Sequence, residues 1–296
     1  YYGAPQMWAW ASYRVRKMRR LVDHVLCKLP FEARWYQERG CNAIYVGHPY
    51  FDQLTEHVPD REFMHREGSR QQGRLVTILP GSRTQEVTNN LAWLLKAAEK
   101  VHRQVPQARF AIAAFNEKQA KMARQMLADF DLPIQIFIHR TAELIQISHC
   151  CLACSGSVSL ELMFHMKPSA ILYWVNRTTH FLVKHFVVRV KYITLVNLLA
   201  CEDRFERTRQ PYDPHAAGAE KVPFPEYPTW EDKSAQLAEH VVRWLTDPSE
   251  YHQRVSQLAD LKSRFCATGA STAAADYILR NLVPGEQVDS TVSRAA

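Results

Sequence analysis

Glycine is scarce in this chain, 10 residues in 296 against 15 prolines, which excludes collagen-like and low-complexity chains. Long apolar runs are missing as well. No window nears the 18 or so consecutive apolar residues of a membrane span. The most apolar stretch, 169–201, is broken by Arg177, Lys184, Arg189 and Lys191. The opening residues, Tyr1 to Pro5, lack an initiator Met and the basic-then-apolar layout of a signal peptide, so the chain reads as starting partway through a larger protein. Paired cysteine spacing is also lacking. The seven cysteines (27, 41, 150, 151, 154, 201, 266) are odd in number, which points to free thiols in a reducing cytoplasm. Cys151 and Cys154 form a CxxC without a second pair. The run from Cys150 to Cys154 therefore reads as small apolar residues of a buried strand, and no metal is expected.

What is present is ordinary for a folded protein: 47% hydrophobic and 23% charged residues. At roughly 150 residues per domain, the length suggests about two domains. The net charge of +7 is polarised: residues 1–201 hold 26 basic and 15 acidic side chains, residues 202–296 hold 11 and 15. Nucleic acid, anionic lipid and a phosphorylated substrate all suit such a surplus. Two basic segments stand out. In 14–28, Val15, Met18, Leu21, Val22 and Val25 recur at helical steps, continuing to Leu29, which predicts one amphipathic helix over about 12–29. The second, 180–192, is apolar with interspersed cations and no acid. Each fits a helix on an anionic bilayer, or a core helix with a solvated basic rim. Neither carries a nucleic-acid reading motif.

From residue 73 the chain alternates β-rich and helical runs. Strands are expected at 74–79, 109–115, 133–138, 149–154 and 169–173, with crossover helices between them, and Asn116 as an N-cap. This order implies a parallel, doubly wound α/β sheet, a Rossmann-like domain over 73 to about 200. Upstream, a helix from Pro30 to Arg39 and a strand at 43–46 are too little for a complete sheet domain. Downstream, Pro211, Pro214, Pro223, Pro225 and Pro228 mark 202–230 as an irregular loop, followed by helices at about 231–246, 248–266 and 269–282.

Ligands on such sheets sit beyond the carboxyl ends of the strands, and two turns fall there. Pro80-Gly81-Ser82-Arg83 sets a permissive backbone and a guanidinium after the first strand. Arg83 suits a diphosphate, through bidentate bonds, or a surface ion pair. Glu86, three residues on, either caps the helix or orients Arg83. Ser155-Gly156-Ser157 opens a helix, whose free N–H groups favour an anion. Glu161, one turn further, either accepts the hydroxyls of a ribose or is a plain helix residue. Two such turns on neighbouring strand ends suggest a nucleotide diphosphate. Asn197, an amide in an apolar run, caps or bridges backbone, with a functional role as the lesser reading. His48 lies at a strand-to-turn junction and reads as structural, or as a residue where the chain crosses between domains.

Tyr2-Gly-Ala-Pro-Gln-Met-Trp-Ala-Trp10, Leu29-Pro-Phe-Glu32, Val46-Gly-His-Pro49, Leu79-Pro-Gly-Ser-Arg83 with Glu86-Val87, Ser155-Gly-Ser157 with Leu160-Glu161, and Val196-Asn-Leu-Leu-Ala200 occur in that order. In order and spacing the chain resembles the lipid-A-disaccharide synthase family, inverting, metal-independent glycosyltransferases of GT-B architecture, over about residues 1–205. The resemblance implies transfer of 2,3-diacylglucosamine from UDP-2,3-diacylglucosamine to 2,3-diacylglucosamine 1-phosphate, giving the β-1,6-linked lipid A disaccharide 1-phosphate and UDP. It implies no cofactor, no nucleic acid, a cytoplasmic place at the inner-membrane surface, and a homodimer as a candidate assembly. Arg83, Ser155, Gly156, Ser157 and Glu161 would bind UDP. Arg83, Glu86 and Asn197 would be catalytic, and His48 an interdomain or site residue.

By the same resemblance, 1–55 is the remnant of an acceptor domain, 56–73 a linker, 74–230 the donor domain, 231–282 closing helices and 283–296 a disordered tail. The family's general base belongs to a first domain ahead of these residues, so the chain alone is expected to bind UDP without turnover. The family's usual Thr, Pro and Gly are replaced by Ser157, Val196 and Cys201. Other GT-B UDP-sugar enzymes, such as a peptidoglycan GlcNAc transferase or a UDP-GlcNAc 2-epimerase, share this architecture and remain alternatives. So does an inactive fragment that binds UDP or a membrane.

Overall fold

The computed structural model describes residues 1–69, 73–154, 156–182, 188–206 and 212–281. Ser155, part of the basic stretch 180–192 and the tail 283–296 lie outside the described residues. The chain divides into two compact units, Tyr1–His57 with Ala267–Ala296, and Val58–Cys266.

In the first unit a short helix α1 (Met7–Trp10) and a 3-10 turn lead into α2 (Val15–Leu21), β1 (Val25–Cys27), α3 (Pro30–Gln37), β2 (Ala43–Tyr45) and α4 (Pro49–Glu56). The expected helix over 12–29 is therefore two elements. Val22 is already extended, and Val25–Cys27 pairs in parallel with Ala43–Tyr45 as a fully buried strand. A three-residue apolar run fits either period, and pairing across the sheet decides it. Only Met18 of α2 is buried, so its cations form a solvated rim.

The second unit opens with α5 (Arg61–Gly68), a helix capped by the Asp60 side chain inside the expected linker. Then follow β3 (Leu75–Leu79), α6 (Thr84–Gln104), β4 (Arg109–Ala114), α7 (Glu117–Leu127), β5 (Ile134–Ile138), α8 (Thr141–Ile147), β6 (Cys150–Cys154), α9 (Val158–Phe164), β7 (Ser169–Trp174), α10 (Arg177–Leu182), α11 (Leu195–Ala200), β8 (Glu226–Thr229), α12 (Ser234–Thr246) and α13 (Pro248–Phe265). Six parallel strands stand in the order β5-β4-β3-β6-β7-β8. β3 and β6 are buried along their whole length because helices cover both faces of the sheet, so both strands read as continuous apolar runs. On α6, Val87, Leu91, Leu94, Leu95, Ala98 and Val101 form the core face and pack with α12 against the sheet. Each large side chain buried there contributes about 2 kcal/mol.

One strand was hidden in the proline-rich stretch. β8 sits at the sheet's edge, where a missing N–H is tolerated, so Pro228 takes a place in register with Tyr173. Residues 188–192 are not helical, so the basic helix expected over 180–192 is not present there. Among the described residues no helix is long and apolar enough to cross a membrane.

The last helix, α14 (Ala270–Asn281), belongs to the first unit rather than continuing the closing helices of the second. Its N-terminus is capped from α4: Asp52 accepts hydrogen bonds from the N–H groups of Gly269 (2.7 Å) and Ser271 (2.8 Å).

Candidate functional site

The turn after β3 is built around Gly81. Its φ is +114°, and a Cβ there would lie 2.5 Å from the Cβ of Glu86, so only glycine fits. Glu86 closes the turn as a capping-box acid, its Oε2 accepting from Ser82 N (2.9 Å) and Arg83 N (3.1 Å). Its Oε1 accepts from Arg83 Nη1 at 2.7 Å. One carboxylate thus both caps the helix and orients Arg83. The Arg83 side chain is 81% exposed. An exposed pair of this kind stabilises the fold little; its effect is to aim a guanidinium from a closed turn into solvent.

The turn after β6 carries Gly156 and Ser157, both exposed, and a Cβ on Gly156 would meet nothing within 4 Å. Ser159 N and Oγ both donate to Gly156 O, at 3.1 and 2.8 Å, which fixes the entry to α9. Glu161 lies in the first turn of α9 and is buried.

β3 and β6 are neighbours in register, Leu79 beside Ala153. The two turns therefore leave the same carboxyl edge side by side. From β3 the chain winds outward through β4 to β5, then returns to β6 and winds the other way. The gap between β3 and β6 is thus the topological switch point, where such sheets bind ligands.

Two buried amides that the sequence reading passed over tie this edge together. Asn90 donates to Glu86 O (2.8 Å) and accepts from Trp174 N (2.7 Å), joining α6 to the end of β7. Gln119 donates to Ser82 O (2.6 Å) and accepts from Phe115 N (3.2 Å). A signal existed for each. Asn90 interrupts the apolar face of α6, and Gln119 stands three residues after the Asn116 cap, whose side chain accepts from Gln119 N. Tyr173, at the end of β7, has its hydroxyl pKa pushed up first by burial, then by the nearby Cys154 and Glu86, with Arg83 opposing.

Asn197 is not on either turn. Its amide pairs both ways with the Phe224 backbone, Nδ2 to the carbonyl (2.8 Å) and Oδ1 from N (3.0 Å), and Nδ2 also reaches Glu226 Oε2 at 2.9 Å. Glu226 in turn accepts from Ile193 N (2.8 Å) and Thr194 N (3.0 Å). Burial pushes its carboxyl up to about 7 despite these donors. No sequence signal marked Glu226. Both residues, with Tyr173, Tyr192, Cys201 and Tyr212, line a cavity of about 1130 Å3 toward the ends of β7 and β8.

A model of the lipid-A-disaccharide synthetase family matches residues 1–226. The chain belongs to that family. The lipid-A-disaccharide synthase of Pseudomonas entomophila is 34% identical over 200 residues, covering 68% of this chain and 53% of that protein. That of Myxococcus xanthus is 29% identical over 286 residues, covering 96% of this chain and 69% of the relative. The chain thus spans about half the length of the Pseudomonas relative. Among solved structures, the S. aureus MnaA-UDP co-structure matches with a TM-score of 0.57 at 14% identity, over 90% of this chain and 64% of that one. The UDP-GlcNAc 2-epimerase from Neisseria meningitidis bound to UDP-GlcNAc gives 0.54 at 13%, over 90% and 63%. At such identity the likeness concerns the fold, which is of GT-B type.

The motifs of this lipid-A-disaccharide synthetase family in the first unit have structural reasons. Trp8 Nε1 and Lys28 N both donate to the buried Glu32 carboxylate at 3.0 Å, and Tyr36 Oη donates to Pro5 O at 2.7 Å. The first motif is thereby fastened to the second. Gly47 has φ +93°, and a Cβ there would lie 2.9 Å from that of Ala270. His48 caps α4, its Nδ1 accepting from Tyr50 N at 3.3 Å. Burial, then the Lys28 charge, lowers its pKa to about 4, so it is neutral at pH 7.

Proposed function

We propose that this chain carries the UDP-sugar-binding part of a lipid-A-disaccharide synthase. The enzyme would transfer 2,3-diacylglucosamine from UDP-2,3-diacylglucosamine to 2,3-diacylglucosamine 1-phosphate. One observation carries the reading: the Gly81–Arg83 and Gly156–Ser157 turns stand side by side at the switch point of a six-stranded sheet in a chain of this family.

In this reading Arg83 grips the diphosphate, Glu86 holds Arg83 at the turn, and Ser155, Gly156 and Ser157 offer main-chain N–H groups. Glu161 accepts the ribose hydroxyls. The acceptor's 6-hydroxyl oxygen forms a bond to the anomeric carbon from the face opposite the diphosphate, which inverts that centre. The bond from that carbon to the phosphate oxygen breaks, UDP leaves with the electron pair, and a base takes the hydroxyl proton. That base is assigned to no residue of this chain. Arg83 and the N–H groups stabilise the charge that grows on the departing diphosphate. Asn197 is fully committed to Phe224 and Glu226, so its part is to hold the cavity wall and not to touch the reacting atoms. The basic first two-thirds of the chain suits a phosphorylated acceptor and an anionic membrane surface.

Calorimetry with UDP tests the reading. The wild-type chain binds, and Arg83→Ala and Glu161→Ala each weaken binding by about tenfold or more. A folded sample that takes up no UDP overturns it. Competition between unacylated UDP-GlcNAc and the diacylated donor tests the sugar assignment.

A further inference from the structure

We propose that Gln119 is a positioning residue, fixing the Gly81–Arg83 turn and, through it, Arg83; its bearing on ligand affinity rests on the UDP reading above. Gln119 stands on α7 and belongs to neither anion-suited turn, yet it is buried to 2% exposure. Its amide is divided between two strand ends. Oε1 accepts from Phe115 N (3.2 Å), closing the turn after β4, and Nε2 donates to Ser82 O (2.6 Å), in the turn after β3.

The Ser82 carbonyl lies between Gly81, which stands at positive φ, and Arg83, whose own N–H is held by Glu86. One side of the turn is thus fixed from within α6 by Glu86, and the other from α7 by Gln119. β3 and β4 are paired in register from Leu75 with Arg109 to Ile78 with Ile112, so their carboxyl ends form a rigid base for this tie. Only a side chain with both a donor and an acceptor spans it. Glutamate keeps the acceptor and cannot donate when ionised; leucine does neither.

That difference supplies the experiment. Gln119→Glu keeps an oxygen for Phe115 N, so the α7 end stays closed, but sets a carboxylate against the Ser82 carbonyl. Gln119→Leu removes both bonds. The primary readout is amide hydrogen exchange on the unliganded chain. In Gln119→Glu, exchange across 80–87 rises by about fivefold or more, the loss of one part-buried hydrogen bond, while 115–120, which holds the Phe115 N–H, keeps its wild-type protection. UDP affinity falls by a similar factor, short of the loss in Arg83→Ala. Gln119→Leu loosens both segments. Unchanged exchange across 80–87 in both variants overturns the proposal, as does wild-type UDP affinity in Gln119→Glu. A wild-type chain that ignores UDP while Gln119→Glu loosens 80–87 overturns the UDP reading and upholds the tie.

Discussion

Trp8 Nε1 donates to Glu32 Oε1 at 3.0 Å across 24 residues of sequence, at a site where both side chains are buried. Glu32 has its other oxygen on Lys28 N, also at 3.0 Å. Burial raises its pKa, and the donors of Trp8 and Lys28 oppose that rise. Trp8→Phe keeps an aromatic ring beside Phe31 but removes the donor together with part of the buried indole. It is expected to cost at least about 1–3 kcal/mol, because a buried carboxylate loses a bond and the lost ring atoms leave a void. Urea unfolding followed by near-UV dichroism checks this; a loss below about 0.5 kcal/mol counts against the pair as an anchor.

Gly81→Ala is predicted to open the β3–α6 turn. The added Cβ meets Glu86 at 2.5 Å on a backbone of φ +114°, so Glu86 must give up Ser82 N and Arg83 N. UDP affinity should fall by about tenfold or more, with the sheet intact by far-UV dichroism. Wild-type affinity in this variant shows that the turn does not carry the ligand.

Asn90→Leu keeps a side chain of the same branched shape, though a bulkier one, in the core face of α6 and leaves Trp174 N and Glu86 O without the amide. Stability should drop by about 1–3 kcal/mol. A neutral result in thermal unfolding means that the backbone groups find other partners.

Asn197→Ala is expected to cost about 2–4 kcal/mol, since Phe224 N and O lose the amide in a buried place and Glu226 Oε2 is left with Thr194 N. UDP affinity should change far less than in Arg83→Ala. The reverse ranking would return Asn197 to direct contact with the ligand.

His48 gives a pH signature. Its folded pKa of about 4 lies below the ordinary 6.5. A depressed histidine contributes stability that is in place above its unfolded pKa and lost as pH falls through the folded one. The window is therefore pH 6.5 down to 4, with a contribution on the order of 3 kcal/mol at most. His48→Asn also caps α4 and does not titrate, so its stability should be flatter across that window. Parallel pH profiles in urea overturn this.

Much of this protein was legible as pattern. The β–α alternation from Leu75 to Trp174 follows from short apolar runs separated by helices with one apolar face, and a doubly wound parallel sheet follows from that order. Asn116 announced its cap, and Glu86 its place in the first turn of α6. These features are local, set by the period and by which residues stand within three or four positions.

Tertiary structure decided the remainder. Val25–Cys27 is a strand because Ala43–Tyr45 pairs with it, although its spacing continues a helix. Glu226–Thr229 is a strand because an edge place tolerates Pro228. The bonds of Gln119 to Ser82, Asn90 to Trp174 and Glu226 to Asn197 join residues 37, 84 and 29 positions apart. Sequence by itself determined the two glycine-containing turns that follow buried strands, Gly81–Arg83 and Gly156–Ser157. Only the packed sheet, by setting β3 beside β6, decided that two such turns share one edge, because lateral strand order depends on contacts that local spacing does not encode.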